Sequence, residues 1–126
     1  TWGIATSRLS TWQPDERAYI GEELESVLDR IADPTNSNGQ LLATYIRKYF
    51  ADMGKHLAEL RAVLKPRATI HYIVGNSIFY GELLPVERLY ASILARLGFR
   101  DIHIQPLRKR NSKRDLVEFD VSATLE

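Results

Sequence analysis

The sequence contains no cysteine. That excludes a disulfide framework, thiolate-bound zinc, iron–sulfur ligation and a cysteine nucleophile, and it fits a reducing compartment. Long hydrophobic runs are also missing. The uninterrupted apolar stretches are only a few residues long, so no segment is expected to span a membrane. The opening TWGIATSRLSTWQ has neither the basic start nor the apolar run of a secretory signal. His56, His71 and His103 show no metal-ligand spacing, although His71 and His103 could be neighbours across a sheet. No repeat, low-complexity tract or inter-domain linker is visible.

What is present suits one globular domain. Over 126 residues, 44% are apolar and 26% charged, enough to form a real core. The net charge of +1 is unevenly spread. Residues 1–33 hold three basic residues (Arg8, Arg17, Arg30) against seven acidic ones, whereas 108–114, RKRNSKR, hold five basic residues and no acid. A near-neutral total argues against indiscriminate polyanion binding by the whole surface. The local cationic run still makes a strong positive spot. Glu22, Glu23, Glu25 and Asp29 form an acidic helix face for which solvation is the default, and nothing supports a glycosidase-type carboxylate pair.

The periodicity predicts a helix through Ile20, Leu24, Val27, Leu28 and Ile31. The turn formers of Asp33–Gly39 then break the chain. A long helix carries Leu41, Leu42, Tyr45, Ile46, Tyr49, Met53, Leu57, Leu60 and Leu64, and it ends before Lys65-Pro66 because proline disfavours a helical residue ahead of it. Thr69–Gly75 reads as a strand covered on both faces. Pro85 opens a third helix, through Val86, Leu89, Tyr90, Ile93, Leu94 and Leu97, which Gly98 caps. Asp101–Leu107 reads as a strand with Ile102, Ile104 and Leu107 on its buried side. Val117, Phe119, Val121 and Ala123 alternate with polar residues as a half-buried strand. The eight residues 108–115 are too few for a helical crossover, so the last two strands should form an antiparallel hairpin.

This order, with Tyr49-Phe-Ala-Asp-Met53, Leu60-Arg-Ala-Val-Leu-Lys-Pro66, Ile73-Val-Gly-Asn-Ser77, Leu97-Gly-Phe99, Arg108-Lys-Arg-Asn111 and Glu118-Phe-Asp-Val121, resembles the C-terminal half of an S-adenosylmethionine-dependent methyltransferase. More particularly it is similar to amino-methylating DNA methyltransferases of the N4-cytosine or N6-adenine type. The resemblance covers about residues 45–124. It implies an α/β class and a partial Rossmann-like methyltransferase fold, helix–helix–strand–helix–strand–strand, within a single domain over 1–126. Residues 1–38 would form a helical, target-recognition-like segment and 39–126 the strand–helix–hairpin core.

Two departures from the family pattern stand out. The paired glycines expected after Lys-Pro are Arg67 and Ala68, which do not take positive φ as cheaply. The chain also has no G-x-G and no Pro-Pro pair, the loops with which the family binds cofactor and positions the target amine. The missing starting methionine and the final Leu125-Glu126 are read as hints of an excised piece.

The resemblance implies a cytoplasmic enzyme with S-adenosylmethionine as cofactor and DNA as partner. This chain alone would be inactive, lacking catalytic residues, and would pair with a missing N-terminal half. Gly75, Asn76 and Ser77 are the candidate substrate-binding residues, since ligands bind at the carboxyl ends of strands in open α/β sheets; a cap-and-turn role is the alternative. Arg108, Lys109, Arg110, Asn111, Lys113 and Arg114 are the candidate nucleic-acid contacts, long cations on a loop that can reach phosphates. Phe79 and Tyr80 could stack on a base or pack internally. Trp2 and Trp12, with Arg8 and Arg17, either line the DNA side or staple the first helix. Two other function classes remain open: a non-catalytic nucleic-acid-binding α/β module, and an oligomerisation domain that self-associates through the exposed sheet edge at Ile70–Val74.

Overall fold

The computed structural model describes residues 21–109 and 116–126. Their order is α1 (Glu22–Ile31), α2 (Gly39–Val63), β1 (Thr69–Gly75), β2 (Ser77–Phe79), β3 (Glu82–Leu84), α3 (Val86–Arg96), β4 (Phe99–Lys109) and β5 (Val117–Leu125). The expected succession of helices and strands is present, and the β2–β3 hairpin is an addition to it. Tyr80 and Gly81 link that hairpin with φ of 52° and 76°, the pair of positive values that a tight two-residue turn needs.

Charge polarity and apolar spacing together explain α1. Glu22, Glu23 and Glu25 sit in its first turn and Arg30 in its last, as the helix dipole favours, and Leu24, Val27, Leu28 and Ile31 are buried. The Asn36 amide then caps the freed carbonyls of Arg30 and Ile31, at 3.2 and 3.1 Å. Asp33 folds the turn by accepting from the Thr35 backbone and hydroxyl, bonds that hold its carboxyl below the usual carboxylate range. At Gly39 a Cβ would stand 2.2 Å from the Ile31 carbonyl oxygen, so only glycine lets α2 start this close to the end of α1.

The turn after α2 keeps a glycine-like shape without glycine. Arg67 adopts φ 68°. Its N–H donates to the Leu125 carbonyl and the Leu125 N–H donates to Ala68, both at 2.8 Å. Holding an L-residue left-handed there costs on the order of 1 kcal/mol, which the two backbone bonds to β5 offset.

The main sheet has the order β1-β5-β4, with β5 antiparallel to both neighbours. β1 and β4 are therefore parallel to each other, joined across β5 by the α3 crossover. The α/β class and the hairpin pairing of the last two strands are as expected. On the inner face Val121, Ala123, Leu125 and Phe99 are buried against the helices. Phe50 anchors this core from α2, making edge-on contacts with Tyr49 and Tyr90 at centroid distances of 5.0 and 6.2 Å.

Two expectations require correction. β1 is covered on one face only: Ile70, Tyr72 and Val74 pack on the core, whereas Thr69, His71 and Ile73 are exposed, Ile73 by 60%. The outward residues of β5 (Glu118, Asp120, Ser122, Thr124) are polar, as suits the open face of an antiparallel ladder. On β4, Ile102 packs against the core, but Ile104 and Leu107 are exposed, not buried. Asp101 at φ 50° and register shifts after Arg100 and Pro106 break the strand's alternation, and the strand is exposed beyond Ile102.

Glu87 in the first turn of α3 is a local conflict. Its residue is buried and its Oε1 has no hydrogen-bond partner among the described residues. Burial therefore pushes its carboxyl pKa up from the ordinary 4.5, with Arg88 opposing. A raised folded pKa makes stability fall as pH climbs from about 4.5 through the folded value, and level off above it. We expect Glu87→Gln to stabilise the fold near pH 7 and to lose that advantage near pH 4, as read by urea unfolding at the two pH values.

Candidate nucleic-acid interface

The two groups of sequence-predicted site residues meet at one sheet edge. Gly75 lies opposite Glu118, which lies opposite Arg108. One step further, the Asn76 N–H donates to the Val117 carbonyl at 3.3 Å, and Val117 lies opposite Lys109. Strand spacing of about 4.8 Å puts each row within about 10 Å. Arg110, Asn111, Lys113 and Arg114 lie outside the described residues, but both ends of their loop leave from this edge.

Within the edge, Asn76 does fastening work. It is 5% exposed, and its side-chain Oδ1 accepts from the Val117 N–H at 2.9 Å. The amide thus imitates one more pair of ladder bonds and pins the returning end of the basic loop. Ser77 opens β2 opposite Leu84. Of the two readings for this triplet, the turn-and-fastening one accounts for the Asn76 acceptor.

At the loop's outgoing end, Arg108 and Lys109 are exposed, and Arg108 Nε donates to Glu118 Oε1 at 2.5 Å. Phe79 packs against the core while Tyr80 is 46% exposed, with its hydroxyl donating to the Ser37 carbonyl. Sequence reasoning missed the exposed apolar pair Ile78 and Leu83, which face each other across β2–β3 beside Tyr80. The Tyr80-Gly81 pair between two three-residue runs was the available signal.

Other candidates fall into structural roles. His71 and His103 both register against Ser122, so β5 separates them, and His71 Nδ1 meets Asp120 at 3.0 Å. No metal-holding cluster exists among the described residues. Glu25 and Glu23 of the acidic face are taken by Arg47 and Arg88, which tie α1 to α2 and to α3. The buried Tyr90 hydroxyl bonds that of Tyr49 at 2.6 Å, and burial pushes its pKa far above the ordinary tyrosine range, so it stays neutral. Trp2, Trp12, Arg8 and Arg17 lie outside the described residues.

The edge also bears on cofactor binding. Asn76 Oδ1 and Glu118 Oε1 are both engaged internally, by the Val117 N–H and by Arg108. The 126-residue sequence holds neither a G-x-G nor a Pro-Pro loop.

Over 99 residues, 75% of this chain, the sequence is 26% identical to the type II methyltransferase M.BsoBI of Geobacillus stearothermophilus. That likeness supports a relationship to methyltransferases. The chain spans 19% of that protein's length. No protein-family model matches it, and no solved structure matches it at a significant level. Among the described residues no helix is long and apolar enough to cross a membrane.

Proposed function

We propose that this chain is the C-terminal part of an S-adenosylmethionine-dependent DNA methyltransferase domain acting on an exocyclic base amine. The observation that carries the reading is β5 lying antiparallel between the mutually parallel β1 and β4, as the resembling fold requires of its last three strands. The sequence likeness to a type II methyltransferase supports it. In this reading the chain contributes sheet, packing helices and the cationic loop, and the cofactor and the catalytic loop are held by an N-terminal part. Methyl transfer needs the sulfonium in line with the amine lone pair, and that geometry belongs to the other part. Arg108, Lys109 and the loop cations position DNA through its phosphates.

Fluorescence anisotropy with duplex DNA and calorimetry with S-adenosylmethionine test this together. DNA binding without cofactor binding is expected; methyl transfer to DNA should appear only when a polypeptide carrying the Gly-rich and Pro-Pro loops is added. Tight S-adenosylmethionine binding by the chain alone would sink the proposal.

One observation favours self-association as a second reading. β1 carries no Lys, Arg, Asp or Glu, no proline and no register break, whereas the outer strand β4 is blunted by Pro106, two register shifts, Arg108 and Lys109. Sedimentation should show concentration-dependent dimers that Ile73→Lys suppresses; a monomer throughout would exclude this reading.

A further inference from the structure

Among the described residues, the cations that stand in no ion pair include Lys55, Lys109 and a group of three at one end of the sheet. Arg30, Arg47, Lys48, Arg88, Arg100 and Arg108 each stand in an ion pair. Arg61, Lys65 and Arg67 are exposed and stand in no ion pair among the described residues.

The fold brings these three together. Arg67 bonds through its N–H to Leu125, which lies opposite Phe99. A Cβ on Gly98, the residue before Phe99, would sit 3.6 Å from the Arg61 guanidinium. The last turn of α2, the turn into β1 and the start of β4 thus share one surface. Among nearby acids, Glu126 is taken by Arg100, and Glu59, two residues from Arg61 on α2, points to another side of that helix. This surface lies at the opposite end of β1 from Asn76, about 23 Å away at 3.3 Å per residue.

An ordinary reason exists for one of these cations. Arg61 in the last turn of α2 suits the helix dipole. Arg67 has no such reason. It occupies a left-handed position where glycine is cheaper, and its charge meets no carboxylate among the described residues. A strained position retained by a side chain without an internal partner points to an external one.

We propose that Arg61, Lys65 and Arg67 form a second phosphate-contacting surface for nucleic acid, separate from the 108–114 loop. The proposal rests on the reading of this chain as a DNA-binding part of a methyltransferase. Each phosphate contact contributes about 0.9 to the slope of log affinity against log salt, so the slope counts the cations in use.

Anisotropy titrations of a short DNA duplex across a salt series test it in the full chain. Arg61→Gln, Lys65→Gln and Arg67→Gly should each lower the slope magnitude by about 0.9, with weaker binding. Arg67→Gly should at the same time raise the thermal midpoint by relieving the left-handed strain, so binding and stability move in opposite directions. A merely structural Arg67 would raise the midpoint and leave the slope alone. Lys109→Gln, at the other end of β1, reports on the loop surface. An unchanged slope in the triple variant, with Lys109→Gln still lowering it, overturns this proposal and leaves DNA binding standing. If the unaltered chain binds no DNA, both fall.

Discussion

Phe50→Ala is expected to cost about 3–5 kcal/mol, a large part of the stability of a domain this size. Phe50 is 1% exposed and is among the largest fully buried side chains, with Leu28, Ile31, Ile46, Leu57, Leu84, Leu94 and Val121. Truncation removes its transfer free energy and its edge-on contacts to Tyr49 and Tyr90, and it opens a cavity between α2 and α3. The Tyr49–Tyr90 hydroxyl pair crosses the same gap, so its geometry loosens too. Urea unfolding should show a midpoint far below the parent's, or no folded baseline. Phe50→Leu, which keeps most of the volume, should cost clearly less. Equal losses from the two variants would mean that this site is not packed as described.

Asn76→Ala carries the second large effect, because it joins stability to the interface. The change leaves the Val117 N–H without its side-chain acceptor at a part-buried position, a loss of about 1–3 kcal/mol. Val117 is the first residue of β5 after the cationic loop, so the loop's return end loses its fastening. Amide exchange at Val117 should accelerate, while Val121 and Ala123, deep in the ladder, change only with global stability. On the proposed function, DNA affinity should fall without a change in salt slope, because no phosphate-contacting charge is removed. A lower slope would instead place Asn76 among the nucleic-acid contacts. Asn76→Asp separates the two roles: it keeps an acceptor for Val117 but adds a negative charge beside the loop.

Local physics made much of the fold legible. The apolar stripe and proline stop of α2 and the period-two alternation of β5 each depend on residues a few positions apart. The short connection between β4 and β5 forced the antiparallel hairpin for the same reason. β2 and β3 escaped notice because three-residue strands have too little periodicity to register, and only the Tyr80-Gly81 turn marks them. Burial of Ile104 and Leu107 was misjudged because alternation assumes a regular strand, and the bulges in β4 break it. For the interface, the residue types in 75–77 and 108–114 were readable as candidates. Their meeting at one edge was not, because it runs through Val117 and Glu118 of a third strand.

The absences in composition constrain chemistry whatever the fold: without cysteine there is no thiolate, and the given sequence has neither a G-x-G nor a Pro-Pro pair. The sequence alone also determined where α2 stops and which residues of β5 alternate, since those follow from backbone sterics and nearest neighbours. Charge behaved differently. The sequence shows five cations crowded at 108–114, yet pairing in space decides which charges are available. Arg108 is drawn to Glu118 across the sheet, whereas Arg61, Lys65 and Arg67 at its far end have no carboxylate partner among the described residues. Ion pairing depends on distances between residues far apart in the chain, and only tertiary structure sets those.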